Sequence, residues 1–154
     1  MKGDDKVINE LNDLLAEELT AINQYMVHAE MDENWHYSKL QDDVYKRSIV
    51  EMKHAEKLIE RILYLEGKPI VSNLMEIRIG DDVPSQLDND LSLEIYAVKH
   101  YNNTIRLCTE KGDSGTKELL ESILKDEEDH IDDIEGKKDQ ITQMGLPQFL
   151  QTVV

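Results

Sequence analysis

Cysteine is almost absent from this sequence, which has a single one, Cys108, among 154 residues. One thiol cannot form a disulfide within the chain, so the fold must be held together without one. A lone cysteine at an apolar helix position is usually a small packing residue, and we expect Cys108 in the core. The lack of disulfides also favours a reducing compartment, and we expect a cytoplasmic protein.

Long apolar runs and positive charge are also scarce. No run approaches the roughly 18 residues of a membrane span, and the opening MKGDDKVINEL lacks the apolar centre of a signal peptide. Acidic residues number 33 against 17 basic ones, a net charge of −16. Nucleic acid and anionic membranes are therefore poor partners. The negative charge either attracts cations or only keeps a large soluble assembly apart, and composition leaves both open.

Glycine and proline number only 7 and 3, and strand-like alternation is absent. Four long segments show apolar residues at helical spacing, so we predict an all-α fold in one domain, 1–154. Ser38 is a plausible N-cap, and Pro84 suits a first helical turn. The fourth helix should follow Asp113 or Ser114. The expected helices cover about 5–34, 39–66, 84–111, 114–144 and a short 147–152.

The connections between these helices differ greatly in length. Helices one and two are joined by about four residues and three and four by fewer, so each pair should form an antiparallel hairpin. The middle connection, about 17 residues from Gly67 to Val83, can stretch roughly 56 Å, beyond the roughly 42 Å length of helix two. We predict one long crossover that makes helices two and three parallel, as in ferritin-like four-helix bundles.

Each long helix has an apolar face interrupted by acid near its middle. Glu18 shares the face of Leu14 and Ile22 on the first helix. The corresponding residues on the other helices are Glu51 and His54, Glu94, and Glu127 and His130. Four buried carboxylates would be untenable without a counter-charge, which two divalent cations supply. Oxygen ligands with one imidazole per metal suit iron or manganese and, less selectively, zinc.

The spacing of these residues repeats along the chain. Glu18 and Glu51 are 33 residues apart, as are Glu94 and Glu127, and Glu-x-x-His occurs at 51–54 and 127–130. Residues three apart lie on one helix face, so each hairpin supplies one glutamate and one Glu-x-x-His, a known pattern of di-iron bundles. The alternative, solvated glutamates and ordinary histidines, fits any one residue but not their joint placement.

Tyr25 and Tyr101 each follow the single glutamate of their half by two helical turns, beside the expected metals. They either donate hydrogen bonds to a ligand or are simply core residues. His28, His36 and His100 have no partner in this pattern, and we expect surface or structural roles for them.

Four stretches resemble bacterioferritins, and the likeness covers nearly the whole chain: MKGDDKVINELNDLLAEELTAINQY, EMKHAEKLIERILYLEG, LKDEEDHID and QMGLPQFLQ. The resemblance implies a di-iron ferroxidase centre in which Glu51 and Glu127 bridge the two irons. The two sites would be completed by Glu18 with His54 and by Glu94 with His130. The resemblance also implies a hollow shell of 24 identical subunits with ferric mineral inside.

Met52 lies on a second apolar stripe of helix two, one residue past Glu51, and helix one has a similar outer stripe. Such stripes predict a subunit interface, where a methionine is most often a packing residue. Bacterioferritins bind one haem between two subunits through a methionine from each, and Met52 matches that position. The resemblance thus implies a haem, of b-type or a related porphyrin. Its pocket would be lined by Leu19, Ile22, Asn23, Tyr45 and Ile49.

Lys46 and Val50 depart from a pattern that some family members show. In those proteins a histidine and an acid at these positions form a further iron site on the inner shell surface, and lysine and valine cannot replace them. We expect that site to be absent or built differently.

The predicted function is that of an enzyme, a ferroxidase that oxidises Fe(II) with dioxygen or hydrogen peroxide and stores the ferric product. Haem would assist iron release, with electrons from a small ferredoxin-like donor. Two alternatives stay open: a di-iron peroxidase or oxygenase with another substrate, and a haem-carrying shell without catalysis. A rubrerythrin-like protein is excluded, because its Cys-x-x-Cys module needs a second cysteine.

Overall fold

The computed structural model describes residues 1–154, which fold into five helices and no strand. The prediction of an all-α fold with four long helices and a short fifth is confirmed. The helices are α1 (Asp5–Asn34), α2 (Ser38–Tyr64), α3 (Val83–Glu110), α4 (Ser114–Met144) and α5 (Leu146–Thr152). None of them combines the length and the apolar composition that crossing a membrane requires.

Aspartates define three of the helix starts. Asp4 accepts hydrogen bonds from the first amides of α1, and Asp113 accepts one from the Thr116 amide at the start of α4. Asp82 and Ser85 form a reciprocal capping box at the start of α3, with Pro84 in its first turn. These short acceptors satisfy amides that have no partner inside the helix.

The expectation that Ser38 caps α2 is wrong. Ser38 is the first helical residue, and Tyr37 precedes it without a side-chain cap. The Lys39 amide instead donates to the carbonyl of Val153 at 3.0 Å. A backbone carbonyl of the C-terminal segment therefore replaces the side-chain cap, and the local sequence does not reveal this contact.

Both hairpin turns, residues 35–37 and 111–113, have the same geometry. The central residues His36 and Gly112 are left-handed, with φ of 66° and 69°. After each, an amide reaches back to the helix, from Tyr37 to the Asp32 carbonyl at 2.9 Å and from Asp113 to that of Cys108 at 2.8 Å. Such closures end a helix sharply and fold the chain back on itself.

The helix order in space follows from contacts at the helix ends. The Gly3 amide donates to the Leu65 carbonyl at 2.9 Å, so α1 begins where α2 ends. The Arg61 guanidinium, near the end of α2, donates to Asp113 before α4 at 3.0 Å. Helices α2 and α3 therefore end on the same side of the bundle and run parallel. The predicted crossover is confirmed.

The crossover, residues 65–82, runs along α1 and is tied to it by side chains of that helix. Each tie is a crossover amide that donates to an α1 side chain over 2.8 to 3.0 Å. The pairs are Ile70 with Asn12, Met75 with Thr20, Arg78 with Gln24 and Gly80 with His28. The acceptors recur four or eight residues apart, so they line one face of α1.

His28 is fully buried beneath this crossover. Its Nε2 accepts the Gly80 amide at 2.9 Å, so the ring proton lies on Nδ1 and is donated to Asp90 of α3, also at 2.9 Å. His28 therefore has a structural role, as expected, with partners that the sequence pattern does not show. Its partners lie on segments whose register against α1 is not visible in the sequence.

Replacing His28 with alanine should lower the free energy of unfolding by about 3 kcal/mol, because it opens a cavity and leaves the buried Gly80 amide without its acceptor. Urea denaturation of the metal-free protein measures the loss. The exposed Glu30 on the same helix is the control, and Glu30→Ala should change stability by less than about 0.5 kcal/mol. A His28→Ala loss no larger than that of the control would contradict the anchoring role.

Two apolar clusters occupy the two ends of the bundle. One includes Leu11, Leu58 and Leu120, and the other includes Leu40 and Phe149, the latter from α5. Cys108 belongs to the first cluster, as expected, and burial raises the pKa of its thiol to about 11. The polar middle of the four long helices lies between the clusters and is enclosed by them.

Candidate metal centre

The six polar residues predicted from the helix faces come together in the middle of the bundle. They form two groups, and within each group one ligand atom per residue lies within 4.8 Å of the others. The first group is Glu18, Glu51, His54 and Glu127. The second is Glu51, Glu94, Glu127 and His130. Glu51 and Glu127 belong to both groups, so they stand between two adjacent candidate cation positions.

The two histidines point their Nδ1 atoms at these carboxylates. His54 Nδ1 lies 2.9 Å from Glu127 and 3.5 Å from Glu18. His130 Nδ1 lies 3.0 Å from Glu51 and 3.2 Å from Glu94. His54 Nδ1 also lies 3.3 Å from Glu51, so His54 faces both shared glutamates and Glu18. His130 faces one shared glutamate and Glu94.

The carboxylates are buried with oxygens left unpaired. Each of the four is at most 2% exposed. One oxygen of each has no aligned hydrogen-bond donor, even though an imidazole nitrogen lies within 3.0 Å of two of them. Burying carboxylate oxygens without a partner costs free energy, and a cation bound between them offsets that cost. The donor set of oxygens and one imidazole per group fits iron.

Protons hold the cluster together in the metal-free form. Burial, and then the charge of Glu51, raises the pKa of Glu18 well above its usual value. Burial and the neighbouring glutamates do the same for Glu127. Burial alone would lower the pKa of His130, but its hydrogen bonds to Glu51 and Glu94 raise it to about 9. The groups thus retain protons that cations can displace.

Glu51 and His54 shift in opposite directions. Burial would raise the pKa of Glu51, but hydrogen bonds from Glu18, His130 and His54 hold it well below its usual range. Burial would lower the pKa of His54, but Glu127, Glu18 and Glu51 together raise it far above its usual value. These contacts therefore favour the charged form of Glu51 and the protonated form of the neighbouring His54.

Tyr25 and Tyr101 connect the two halves of the cluster. Tyr101 of α3 donates to Glu18 of α1 at 2.5 Å, and Tyr25 of α1 donates to Glu94 of α3. Both rings are completely buried, and burial with the nearby carboxylate charge raises both phenol pKa values well above normal. Each tyrosine is therefore both a core residue and a hydrogen-bond donor that orients a carboxylate.

Asp126 is a partner of this cluster that the helix pattern did not reveal. His54 Nε2 lies 2.8 Å from the Asp126 carboxylate, which fixes the ring and leaves Nδ1 facing the glutamates. An acid on the far nitrogen is the usual support of a metal-binding histidine. That chemical rule predicts such a partner, but only the packing of α2 against α4 identifies it.

Glu17 and His100 were also missed as neighbours of the cluster. Glu17 is buried and lines a small cavity with Glu18, Glu51, Glu94 and Glu127, which we call the chamber. His100 contacts Glu17, so the expectation that it lacks a partner is wrong. His36 is exposed, in line with a surface role.

Met52 lies outside this cluster, on the outer face of α2. Its side chain is 42% exposed, and Tyr45 on the same helix is 52% exposed. The other residues predicted to line a haem pocket are partly buried: Leu19, Ile22, Asn23 and Ile49. Lys46 is exposed and pairs with Asp42 at 2.7 Å, while Val50 is half-buried.

A four-helix bundle with a long crossover and a buried Glu/His core defines the ferritin-like class. The family described as Ferritin-like domain matches residues 8–144. The chain is 43% identical to the bacterioferritin of Rhodobacter capsulatus over 97% of this chain and 92% of that protein. It is 40% identical to those of Mycolicibacterium paratuberculosis, over 95% and 92%, and Brucella melitensis, over 98% and 94%. The chain therefore belongs to the bacterioferritin family, whose members store iron.

Proposed function

We propose that this protein oxidises Fe(II) at a di-iron centre inside each subunit and stores the ferric product. The observation that carries the proposal is the pair of overlapping ligand groups, in which Glu51 and Glu127 are common to both. Two cations bound there would share ligands and lie only a few ångströms apart. That arrangement suits a reaction in which one oxidant takes electrons from two metal ions.

Each residue has a defined part in the proposed reaction. Glu18 with His54 would bind one Fe(II), and Glu94 with His130 would bind the other. Glu51 and Glu127 would bridge the pair. Each Fe(II) loses one electron, and dioxygen takes two electrons and two protons to give hydrogen peroxide. If hydrogen peroxide is the oxidant, it takes two electrons and two protons to give two molecules of water.

Aerobic oxidation of Fe(II), followed by absorbance, tests the proposal. We expect a fast phase that saturates at two Fe(II) per subunit, followed by slower uptake of further iron. Prior loading with Zn(II), which binds the same ligand types but cannot be oxidised, should abolish the fast phase. Oxidation no faster than in protein-free buffer, or a fast phase unaffected by Zn(II), would refute the proposal.

The stored iron needs an enclosed space, and we propose that the subunits assemble into the 24-subunit shell. Apolar side chains on the outer faces of α1 and α2 support a subunit contact there. Met26, Tyr45, Met52 and Leu63 are each between 42% and 58% exposed. Apolar surface of this kind usually marks an interface. Sedimentation of the purified protein should give a single species with the mass of 24 subunits.

The same outer face suits a haem shared by two subunits. The Met52 thioether is accessible, and the side chains around it are mostly apolar, which fits an iron porphyrin held by methionine. Met52 would hold the haem iron through its sulfur, and Leu19, Ile22, Asn23, Tyr45 and Ile49 would line the pocket. The haem would supply one-electron transfer for iron release, and a small ferredoxin-like protein is the proposed donor.

Replacing Met52 with leucine should abolish axial haem binding while leaving the subunit folded, because leucine keeps the apolar volume but has no sulfur. The visible spectrum of protein reconstituted with haem measures the effect. Met26→Leu, on the neighbouring helix face, is the matched control and should keep the parent spectrum. An unchanged spectrum in Met52→Leu would refute the haem assignment.

A further inference from the structure

Glu17 is a buried acid that the proposed di-iron reaction does not use. It is 6% exposed and lies next to Glu18 on α1, on the side of that helix that faces α3. It lines the chamber together with the four carboxylates of the centre, and the chamber has room for about one water-sized sphere. Its Oε1 has no hydrogen-bond donor. A fifth carboxylate therefore borders the chamber with one oxygen free.

The other oxygen of Glu17 begins a chain of polar groups that leads outward. Glu17 Oε2 contacts Nδ1 of His100 on α3, and His100 Nε2 lies 2.7 Å from Glu10 Oε2. The side chain of Glu10 is 38% exposed, that of His100 is 18% and that of Glu17 is 7%. Exposure thus falls stepwise from solvent to the wall of the chamber.

A purely structural role for Glu17 leaves its free oxygen unexplained. A carboxylate needed only to hold His100 would use one oxygen and keep the other in solvent. Burying the second oxygen without a donor costs free energy. A transient cation at that oxygen offsets the cost and uses the same chemistry as the centre itself.

We propose that Glu10, His100 and Glu17 form the entrance for divalent cations, with Glu17 as a loading site that passes each ion into the chamber. The inference rests on the proposed di-iron function. The ion moves from the partly exposed Glu10 to Glu17 and then to the chamber carboxylates. Both ring nitrogens of His100 contact carboxylates, so the ring is protonated in the metal-free protein and must release a proton before a nitrogen can bind the passing ion. Because few protein ligands meet at Glu17, the ion binds there only briefly. It then moves into the chamber, where more protein ligands surround it.

Stopped-flow binding of Co(II) to the full-length protein tests this route without any oxidation chemistry. Co(II) reports its coordination through visible absorption. The variants are Glu17→Gln and Glu10→Gln, with Glu30→Gln as an exposed control elsewhere on α1. We expect the parent and all variants to bind two Co(II) per subunit at equilibrium. We expect binding about tenfold slower in Glu17→Gln, slower by a smaller factor in Glu10→Gln, and unchanged in the control.

The possible outcomes distinguish a failure of the proposed entrance from a failure of the proposed di-iron centre. If Glu17→Gln and Glu10→Gln bind two Co(II) at the parent rate, the entrance is wrong and the centre stands. If Glu17→Gln loses one of two Co(II) at equilibrium, Glu17 is a permanent ligand and the loading role is wrong. If the parent itself fails to bind two Co(II), the proposed di-iron centre fails. Because the Glu10 side chain is only partly buried, Glu10→Gln tests the route even if Glu17→Gln unfolds.

Discussion

Replacing Glu94 or His130 with alanine should slow the fast phase of Fe(II) oxidation by about a hundredfold or more. Even residues that only support a metal ligand contribute about 10- to 100-fold, and these two would bind the metal directly. Both belong to the second ligand group only, so one iron position should be lost in each variant. Stopped-flow absorbance under air, at two Fe(II) per subunit, measures the rate.

The control for this comparison is Glu110→Ala, which removes an exposed glutamate from the same helix as Glu94. It should oxidise Fe(II) at the parent rate. The metal-free form of Glu94→Ala should remain folded, because removal of Glu94 relieves repulsion among the buried carboxylates. Parent-like rates in both Glu94→Ala and His130→Ala would refute the di-iron ferroxidase.

Cation binding should stabilise the protein strongly, and more so as the pH rises. At a free Co(II) concentration a thousand times its dissociation constant, each occupied site adds about 4 kcal/mol to the free energy of unfolding. Two sites should therefore raise Tm by roughly 20 °C. Thermal unfolding with Co(II) and with a chelator, at several pH values from 6 to 8.5, measures the difference.

The pH dependence follows from the histidine protons. The pKa of His130 rises to about 9 in the folded protein from the ordinary 6.5. In the metal-free protein the pairing of protonated His130 with Glu51 and Glu94 stabilises the fold fully below pH 6.5. This stabilisation is lost as the pH rises through 9. A bound metal needs the neutral ring, so affinity should tighten up to tenfold per pH unit for each displaced proton over that range.

The difference in Tm with and without Co(II) should accordingly widen from pH 6 to pH 8.5. His130→Gln provides the comparison, because it removes one titrating ligand and should give a shallower slope. A difference that is constant across this range, or that narrows, would mean that binding displaces no protons from the cluster.

The sequence predicts the buried cluster of four glutamates and two histidines because the determinants of that cluster are periodic along single helices. Glu18, Glu51, Glu94 and Glu127 each lie on an apolar helix face, and the repeat of their spacing needs no knowledge of how the helices pack. The parallel arrangement of α2 and α3 follows from the length of the crossover alone. Local geometry and chain length therefore suffice for the fold and for the six proposed ligands.

The residues missed are those whose roles depend on contacts between segments. Asp126 supports His54 only through the register of α4 against α2. His28 has partners on the crossover and on α3, and the amide beside Ser38 is satisfied by the C-terminal segment. Glu17 has the sequence signal of any acidic helix residue. Its burial and its free oxygen arise from the packing of α1 against α3.

Crystals soaked anaerobically in Fe(II) and measured at the iron absorption edge test the central claim most directly. We expect two anomalous peaks per subunit, one beside Glu18 and His54 and one beside Glu94 and His130. Both peaks should be in contact with Glu51 and Glu127. A single peak, or no peak among these residues, would contradict that claim.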